Sequence, residues 1–322
     1  SSVYDFDTTL VSTLITMGIR KSFFDLNISS FNNGVVEPGV TSQTSIAWQN
    51  TLPDKIIDSV IEVKLSGNAL DRSGVTVSNA GFYRSVDDTI VWDKNTTESL
   101  SEMSPGDSGR VSLSVVSLKN LMQPKMVKNP YIGLKVTMSG ERTGRDGGKI
   151  SSIEDVIIKI APVVNLAVKS FRNTGPFSNT GAIPPKADTE STYTINWVLT
   201  NTTSDLKSTV VKASLPPGVS WKGEISPSSE KITYDPNTRM VTWDIGNVLA
   251  GTGFTNSAKQ VYFKVGIVPS LSQVGSMPDL ATQIRVTSVD THTGSDIKLN
   301  GTSATTRFSD TSFSSGQDVV VN

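Results

Sequence analysis

The chain has 322 residues, a net charge of −1 and no cysteine, and 18% of its residues are charged. This length favours two domains. The charge balance supplies no basic surface for nucleic acid, the lack of cysteine excludes a disulfide framework and thiolate metal sites, and no apolar run reaches the ~18 residues of a membrane span.

Residues 1–24 precede any repeated pattern and are predicted to be an N-terminal strand segment. The stretch from Thr8 to Thr16 is uncharged, rich in β-branched residues and without helix caps, which is typical of a strand. Two interpretations stay open: the segment is the end of a preceding unit, or it is a strand exchanged with another copy.

The rest of the chain repeats itself at a spacing of about 150 residues. Four landmarks keep this spacing: Trp48 and Trp197 at 149, Trp92 and Trp243 at 151, Val111 and Val261 at 150, and Thr143 and Thr293 at 150. Internal repetition of this kind indicates tandem units of one architecture. We predict two units, residues 25–160 and 161–310, followed by a C-terminal strand segment, 311–322, that opens like the start of a third unit.

The tryptophans mark the predicted core of each unit. Tyr193, Ile195 and Trp197 alternate with polar or smaller residues, the period-2 pattern of a strand with one buried face. Trp48, Trp92, Trp197 and Trp243 are therefore all expected to be buried. Short strands separated by frequent turn signals, without a 3.6-residue period, predict an all-β chain of tandem immunoglobulin-like β-sandwich domains.

The second repeat resembles a family of tandem domains on bacterial and archaeal surfaces known as domain of unknown function eleven. The matching residues are Tyr193-Thr194-Ile195, Asn201-Thr202, Leu215-Pro216-Pro217-Gly218-Val219, Val241-Thr242-Trp243-Asp244-Ile245-Gly246 and Leu249-Ala250-Gly251. The match covers about 163–310 well and 25–160 loosely, since Leu65-Ser66-Gly67 replaces the Leu-Pro-Gly element. The resemblance implies an immunoglobulin-like sandwich and a role as spacer, adhesin or coat component.

One stretch copies a protease motif. Gly106-Asp107-Ser108-Gly109 matches the surroundings of a trypsin-like nucleophile, which needs a histidine base within hydrogen-bond reach. The single histidine, His292, belongs to the other repeat. We therefore predict a structural turn at Ser108 and no enzymatic activity.

Carboxylates recur in four small groups: Asp5/Asp7, Asp87/Asp88, Glu141/Asp146 and Asp290/Asp296. A hard cation needs about six to eight converging oxygens, whereas the Thr-Gly-x-Asp pattern at Asp146 and Asp296 is explained by turn chemistry. Turn chemistry is favoured and a calcium-like ion is the alternative. No catalytic, cofactor-binding or metal-binding residue is predicted.

Exposed aromatic side chains are the remaining candidates for ligand contact. Phe82-Tyr83, Tyr131 and Trp221 could line a glycan-binding surface, although core or edge packing is the favoured interpretation.

The sequence thus favours a non-enzymatic structural protein of a microbial exterior that assembles with itself into a layer or filament. The expected partner is another copy, joined through strand edges or terminal segments; surface glycans are a second partner class. The alternatives are an adhesin or glycan-binding stalk, or an accessory region of a larger exported protein. The expected location is extracellular, at the cell surface.

Overall fold

The computed structural model describes residues 23–144 and 147–322. The predicted N-terminal strand within residues 1–22, and Asp146 of the Thr-Gly-x-Asp pattern, lie outside the described residues. The described chain is all-β, and it forms two β-sandwiches in tandem, as predicted.

The first sandwich contains eleven strands. They are β1 (Phe24–Ser30), β2 (Val35–Val36), β3 (Thr41–Asn50), β4 (Ile56–Gly67), β5 (Leu70–Val77), β6 (Phe82–Arg84), β7 (Thr89–Trp92), β8 (Glu102–Met103), β9 (Ser108–Ser117), β10 (Tyr131–Arg142) and β11 (Gly148–Ile160). One sheet has the order β1-β3-β9-β5. The facing sheet has the order β2-β11-β10-β4-β7-β6, with β8 also paired to β4.

The second sandwich contains ten strands. They are β12 (Val164–Phe171), β13 (Ser191–Asn201), β14 (Leu206–Ser214), β15 (Val219–Ser226), β16 (Lys231–Asp235), β17 (Met240–Val248), β18 (Lys259–Ile267), β19 (Asp279–Asp290), β20 (Asp296–Asn300) and β21 (Ala304–Thr305). The sheets have the orders β12-β13-β18-β15 and β16-β17-β14-β19-β20, with β21 paired to β19. Three short 3-10 turns complete the described elements: Phe31–Gly34, Glu98–Leu100 and Leu271–Gln273.

The two sandwiches have the same strand order. β1, β3, β9 and β5 correspond to β12, β13, β18 and β15, and the sequence β11-β10-β4-β7-β6 corresponds to β20-β19-β14-β17-β16. The sheet register corrects one aligned landmark, because Ile46 pairs with Val111 whereas Ile195 pairs with Phe263. The counterpart of Val111 is therefore Phe263 and not Val261. A shift of two residues keeps every side chain on its face, so the sequence pattern could not detect it.

The predicted burial of the four tryptophans is confirmed. Trp92, Trp197 and Trp243 are fully buried and Trp48 nearly so. Two indole N–H groups donate, Trp92 to the Ser78 carbonyl at 2.8 Å and Trp243 to Glu230 at 2.7 Å. The ring centroid of Trp197 on β13 lies 6.4 Å from that of Trp243 on the facing sheet. In the second core, large rings thus join the two sheets.

The C-terminal strand segment is corrected. Residues 311–322 form turns and a single bridge residue, Val321, which pairs in parallel with Lys186. Val320 is buried, and its backbone bonds to Gly275 and Ser276. In the first sandwich β2 pairs in parallel with the last residues of β11. Val321 therefore pairs with the second sandwich, and residues 311–322 are not the strand that was predicted.

Replacing Trp197 with alanine should lower the free energy of unfolding by ~3–5 kcal/mol, because it leaves a ring-sized cavity between the sheets. Chemical denaturation followed by circular dichroism measures this. Leu271→Ala, at a side chain with 64% exposure, is the matched control and should stay within about 0.5 kcal/mol of the parent. Equal stability of the two variants would place Trp197 outside the core.

Candidate interaction surfaces

The best-defined site in the molecule is the junction between the two sandwiches. The loop from Leu118 to Pro130, called the junction loop below, connects β9 to β10 and is anchored in the first core by Leu121, which is buried. The loop consists of bends and irregular backbone. Its far end reaches the second sandwich.

Several polar contacts join the sandwiches at this junction. The Asn129 amide donates to the Thr203 carbonyl at 2.9 Å, and the Lys128 ammonium lies 3.1 Å from Asp205. His292 Nε2 lies 2.9 Å from the Pro130 carbonyl oxygen, and the Lys159 ammonium donates to the His292 carbonyl at 2.8 Å. Because a carbonyl oxygen can only accept, the ring nitrogen of His292 is the donor.

The connecting segment itself is also hydrogen-bonded to both sides. The Ala161 amide donates to the Val36 carbonyl of the first sandwich at 2.8 Å. The Val163 amide donates to the Thr202 hydroxyl of the second sandwich at 2.8 Å, and Pro162 between them restricts the backbone. The linker is thus hydrogen-bonded to both sandwiches.

Beside the junction lies a groove of about 370 Å³ with a largely apolar lining. Its apolar walls come from both sandwiches: Pro38, Leu121 and Met122 on one side, and Val163 and Phe254 on the other. Two further grooves, of about 450 and 530 Å³, lie along β14 and β19 of the second sandwich and have more polar walls.

The protease-like stretch forms a turn. Gly106 has a φ of 85°, and the Asp107 carboxylate accepts a hydrogen bond from the Ser104 amide at 2.7 Å. Ser108 begins β9 opposite Gln49. His292, with its ring bonded to Pro130, belongs to the junction and is not brought to Ser108.

Asp87 and Asp88 are partners of neighbouring basic groups. Asp88 binds Arg72 through two oxygens and accepts the Tyr83 hydroxyl at 2.7 Å. Burial and this hydrogen bond raise the pKa of Tyr83 to about 12. The hydrogen bond from Arg84 lowers the pKa of the half-buried Asp87 to about 2.

The buried Asp290 caps its own turn. It accepts the Ser204 hydroxyl and the amides of His292 and Thr293. Across residues 23–144 and 147–322, no three His, Cys, Asp or Glu side chains converge as a metal site would require.

The aromatic candidates lie on different strands and do not form one surface. Phe82 is 46% exposed on β6, and Tyr131 is 37% exposed on β10. Trp221 is stacked on Tyr234 with ring centroids 5.8 Å apart and also packs near Phe263. Trp221 is therefore part of the packing of the second sandwich.

No family model matches the chain, and no curated protein sequence matches it. Solved structures offer distant likenesses. The C-terminal domain of the antigen I/II-family protein AspA of Streptococcus pyogenes is 11% identical, covers 87% of this chain and 99% of its own, and has a TM-score of 0.29.

Two further solved structures are similarly distant. A putative membrane-anchored protein of Corynebacterium diphtheriae is 8% identical over 88% of this chain and 90% of its own, with a TM-score of 0.26. AvmM, which catalyses macrocyclization in alchivemycin A biosynthesis, is 10% identical over 42% of this chain and 88% of its own, with a TM-score of 0.28. Likenesses at this level support no statement about function. Among the residues that the structure describes, no helix is long and apolar enough to cross a membrane.

Asp205 should contribute more to stability than its ion pair suggests. Its carboxylate accepts a hydrogen bond from the amide of buried Ala250 at 2.8 Å. This bond is the main cause of the lowered pKa of Asp205, and the hydrogen bond from Lys128 lowers the pKa further. Asp205→Ala leaves that amide without its acceptor and should cost ~1–3 kcal/mol. Lys128→Ala removes only an exposed ion pair and should cost ~0–1 kcal/mol.

Denaturation measured at several pH values tests whether the ionised carboxylate of Asp205 provides this stability. The folded-state pKa of Asp205 lies below its unfolded value of ~3.9, so the stability it contributes is complete above pH ~4 and is lost as pH falls through the folded value. If the difference in unfolding free energy between Asp205→Ala and Lys128→Ala were unchanged at pH 2, the charge of the carboxylate would have no part in that difference.

Proposed function

We propose that this chain is an extracellular structural protein of a microbial cell surface, in which two sandwiches form a stiff spacer that associates with further copies. The observation that carries the proposal is the junction, where the junction loop and a three-residue linker bond to the second sandwich. A spacer requires such coupling, because domains joined by an unbonded linker move independently.

The location rests on composition and resemblance. The chain is cysteine-free and low in charge, and its second repeat resembles the tandem surface domains known as domain of unknown function eleven. This family membership is part of the proposal. The absence of a basic surface favours a protein or glycan partner over nucleic acid.

A non-enzymatic role is supported by how the reactive side chains are used. The imidazole of His292 serves the junction, Asp88 and Asp87 pair with arginines, and Asp290 caps a turn. Each of these groups has a structural partner in the position where it lies. A glycan-binding stalk is the second candidate, favoured by the exposed rings of Phe82 and Tyr131.

The spacer proposal predicts a narrow distance distribution between spin labels placed on different sandwiches. Because the chain has no cysteine, the pair Val86→Cys and Lys298→Cys can be labelled cleanly at two exposed sites. Pulsed dipolar spectroscopy should give a single peak as narrow as that of a control pair within one sandwich, Lys231→Cys with Lys298→Cys.

The same measurement identifies the cause of the stiffness. Lys128→Ala, Lys159→Ala and His292→Ala together remove three junction contacts and should at least double the width of the inter-sandwich peak while leaving the control pair unchanged. A broad inter-sandwich distribution in the unaltered junction, beside a narrow control, would refute the spacer. Antibody labelling of intact source cells tests the location independently.

A further inference from the structure

We propose that the outer face of the second sandwich carries a binding site for an acidic glycan, in which Lys212 and Arg285 hold the carboxylate of a uronic-acid-type sugar. The inference goes beyond the spacer proposal and does not depend on it. The site is also separate from the exposed rings of Phe82 and Tyr131, which lie on strands of the first sandwich.

Two cations lie side by side on this face and are called the cation pair below. Lys212 of β14 is directly opposite Arg285 of β19 in the antiparallel pairing of the two strands. Both residues are exposed, and the residues before and after each of them are buried, so both side chains point away from the core. Like charges directly opposite each other on neighbouring strands are destabilising. An anion bound between the two side chains offsets this repulsion.

The fold supplies no counterion to the cation pair. Among the ion pairs within residues 23–144 and 147–322, none includes Lys212 or Arg285. The flanking strands place a neutral residue on each side, Thr242 beside Lys212 and Asn300 beside Arg285. One carboxylate, Asp244, is diagonal to Lys212, and it lies opposite another lysine. The anion that the pair favours therefore has to come from outside the chain.

The first sandwich contains a comparable pair that has partners within the fold. Lys64 of β4 lies opposite Lys135 of β10. The Lys64 ammonium donates to the Asp87 carbonyl, and Lys135 lies opposite Asp155 on β11. Two opposed lysines are thus accommodated there by groups of the same sandwich, and the cation pair of the second sandwich lacks such groups.

The cation pair is also not a feature of the shared architecture. In each sandwich, the residue opposite the later of the two core tryptophans is followed by an outward-facing residue, which is Lys212 in the second sandwich and Glu62 in the first. Glu62 lies opposite Thr137. The equivalent position of the first sandwich therefore has an acid and a neutral residue where the second has two cations.

A groove lies beside the cation pair. It has a volume of about 530 Å³, and its lining includes Lys212, Arg285, Gln283 and Asn300. A second groove of about 450 Å³ shares Gln283 and Ser214 with the first, so the two are continuous. Volumes of this size are typical of ligand sites. They exceed what a single inorganic anion occupies and suit a short chain of sugar rings.

A β-bulge interrupts the pairing of β14 with β19 at this groove. Between the pair Lys212–Arg285 and the pair Ser214–Thr282, β14 has one residue and β19 has two. One of these two, Gln283, has a φ of 51°, in the left-handed region that residues with a side chain rarely adopt. Bulges re-aim side chains and are frequent beside active sites. Here the bulge places the exposed amide of Gln283 in the lining of the groove.

These groups match a sugar that carries a carboxylate. A guanidinium binds a carboxylate through two parallel N–H donors, and an ammonium adds a charge-assisted hydrogen bond. The side-chain amides of Gln283 and Asn300 can both donate and accept, as sugar hydroxyls require.

The position of the groove favours a glycan over other anionic polymers. Both β14 and β19 have a neighbouring strand on each side, so an acidic peptide finds no free strand edge to pair with. A nucleic acid requires a broad basic surface, whereas this groove offers the cation pair and one further arginine beside Asp279.

Binding of a defined acidic trisaccharide tests the proposal. The probe is the trimer of galacturonic acid, neutral maltotriose is its uncharged counterpart, and affinities for the full chain are measured by isothermal titration calorimetry. The acidic trimer should bind at one site, about tenfold more tightly than maltotriose, and added salt should weaken its binding. Lys212→Gln with Arg285→Gln should weaken binding of the acidic trimer about tenfold, because both charge-assisted contacts are lost.

Lys64→Gln with Lys135→Gln is the matched control. It removes two opposed cations that have partners within the fold, and it should bind the acidic trimer like the unaltered chain. Circular dichroism checks that both double variants are folded. Absence of binding, equal affinity for maltotriose, or equal affinities of the two double variants would overturn the proposal.

Tetraglutamate distinguishes a glycan site from a site for acidic peptides. It should bind more weakly than the acidic trimer, because it lacks the hydroxyls that the amides of Gln283 and Asn300 contact in this proposal. Tighter binding of tetraglutamate would overturn the assignment to a glycan. The spin-label widths test the spacer separately, so the two proposals can fail independently.

Discussion

The contact between the junction loop and the second sandwich is the interaction on which the rest of this account depends. Each sandwich has its own core, and nothing in those cores fixes how one sandwich is oriented on the other. That orientation comes from backbone and side-chain hydrogen bonds at Asn129, Pro130 and Val163. Most of these bonds involve a backbone group, so they constrain position more strictly than ion pairs between flexible side chains. The single histidine of the chain contributes here, through its ring and its carbonyl.

Much of the fold could be predicted because large buried rings recur at a constant spacing. The tryptophan pairs located both sandwiches, and alternation around Tyr193 and Trp197 identified the strand β13. The expectation of one buried face was wrong, because Thr194 and Asn196 on the other face are buried as well. The pairing register was less predictable, since period-2 patterns are unchanged by a shift of two residues. This is why Val111 was aligned with Val261 although the sheets match it with Phe263. The C-terminal residues were misplaced for a related reason. A short valine-rich run such as Val319 to Val321 can begin a sandwich or close one, and only the parallel bridge to Lys186 distinguishes the two.

The interaction surfaces were less accessible to sequence reasoning than the core. The junction loop has no sequence period, and its importance comes from what Lys128, Asn129 and Pro130 meet in the other sandwich.

The central claim is that the two sandwiches move as one body. Residual dipolar couplings of backbone amides in a weakly aligned sample test this most directly, because couplings from each sandwich yield an alignment tensor independently. The account predicts that the two tensors agree in magnitude and in orientation when expressed in the frame of this structure. Two tensors of clearly different magnitude, with each sandwich fitting its own couplings well, would contradict it.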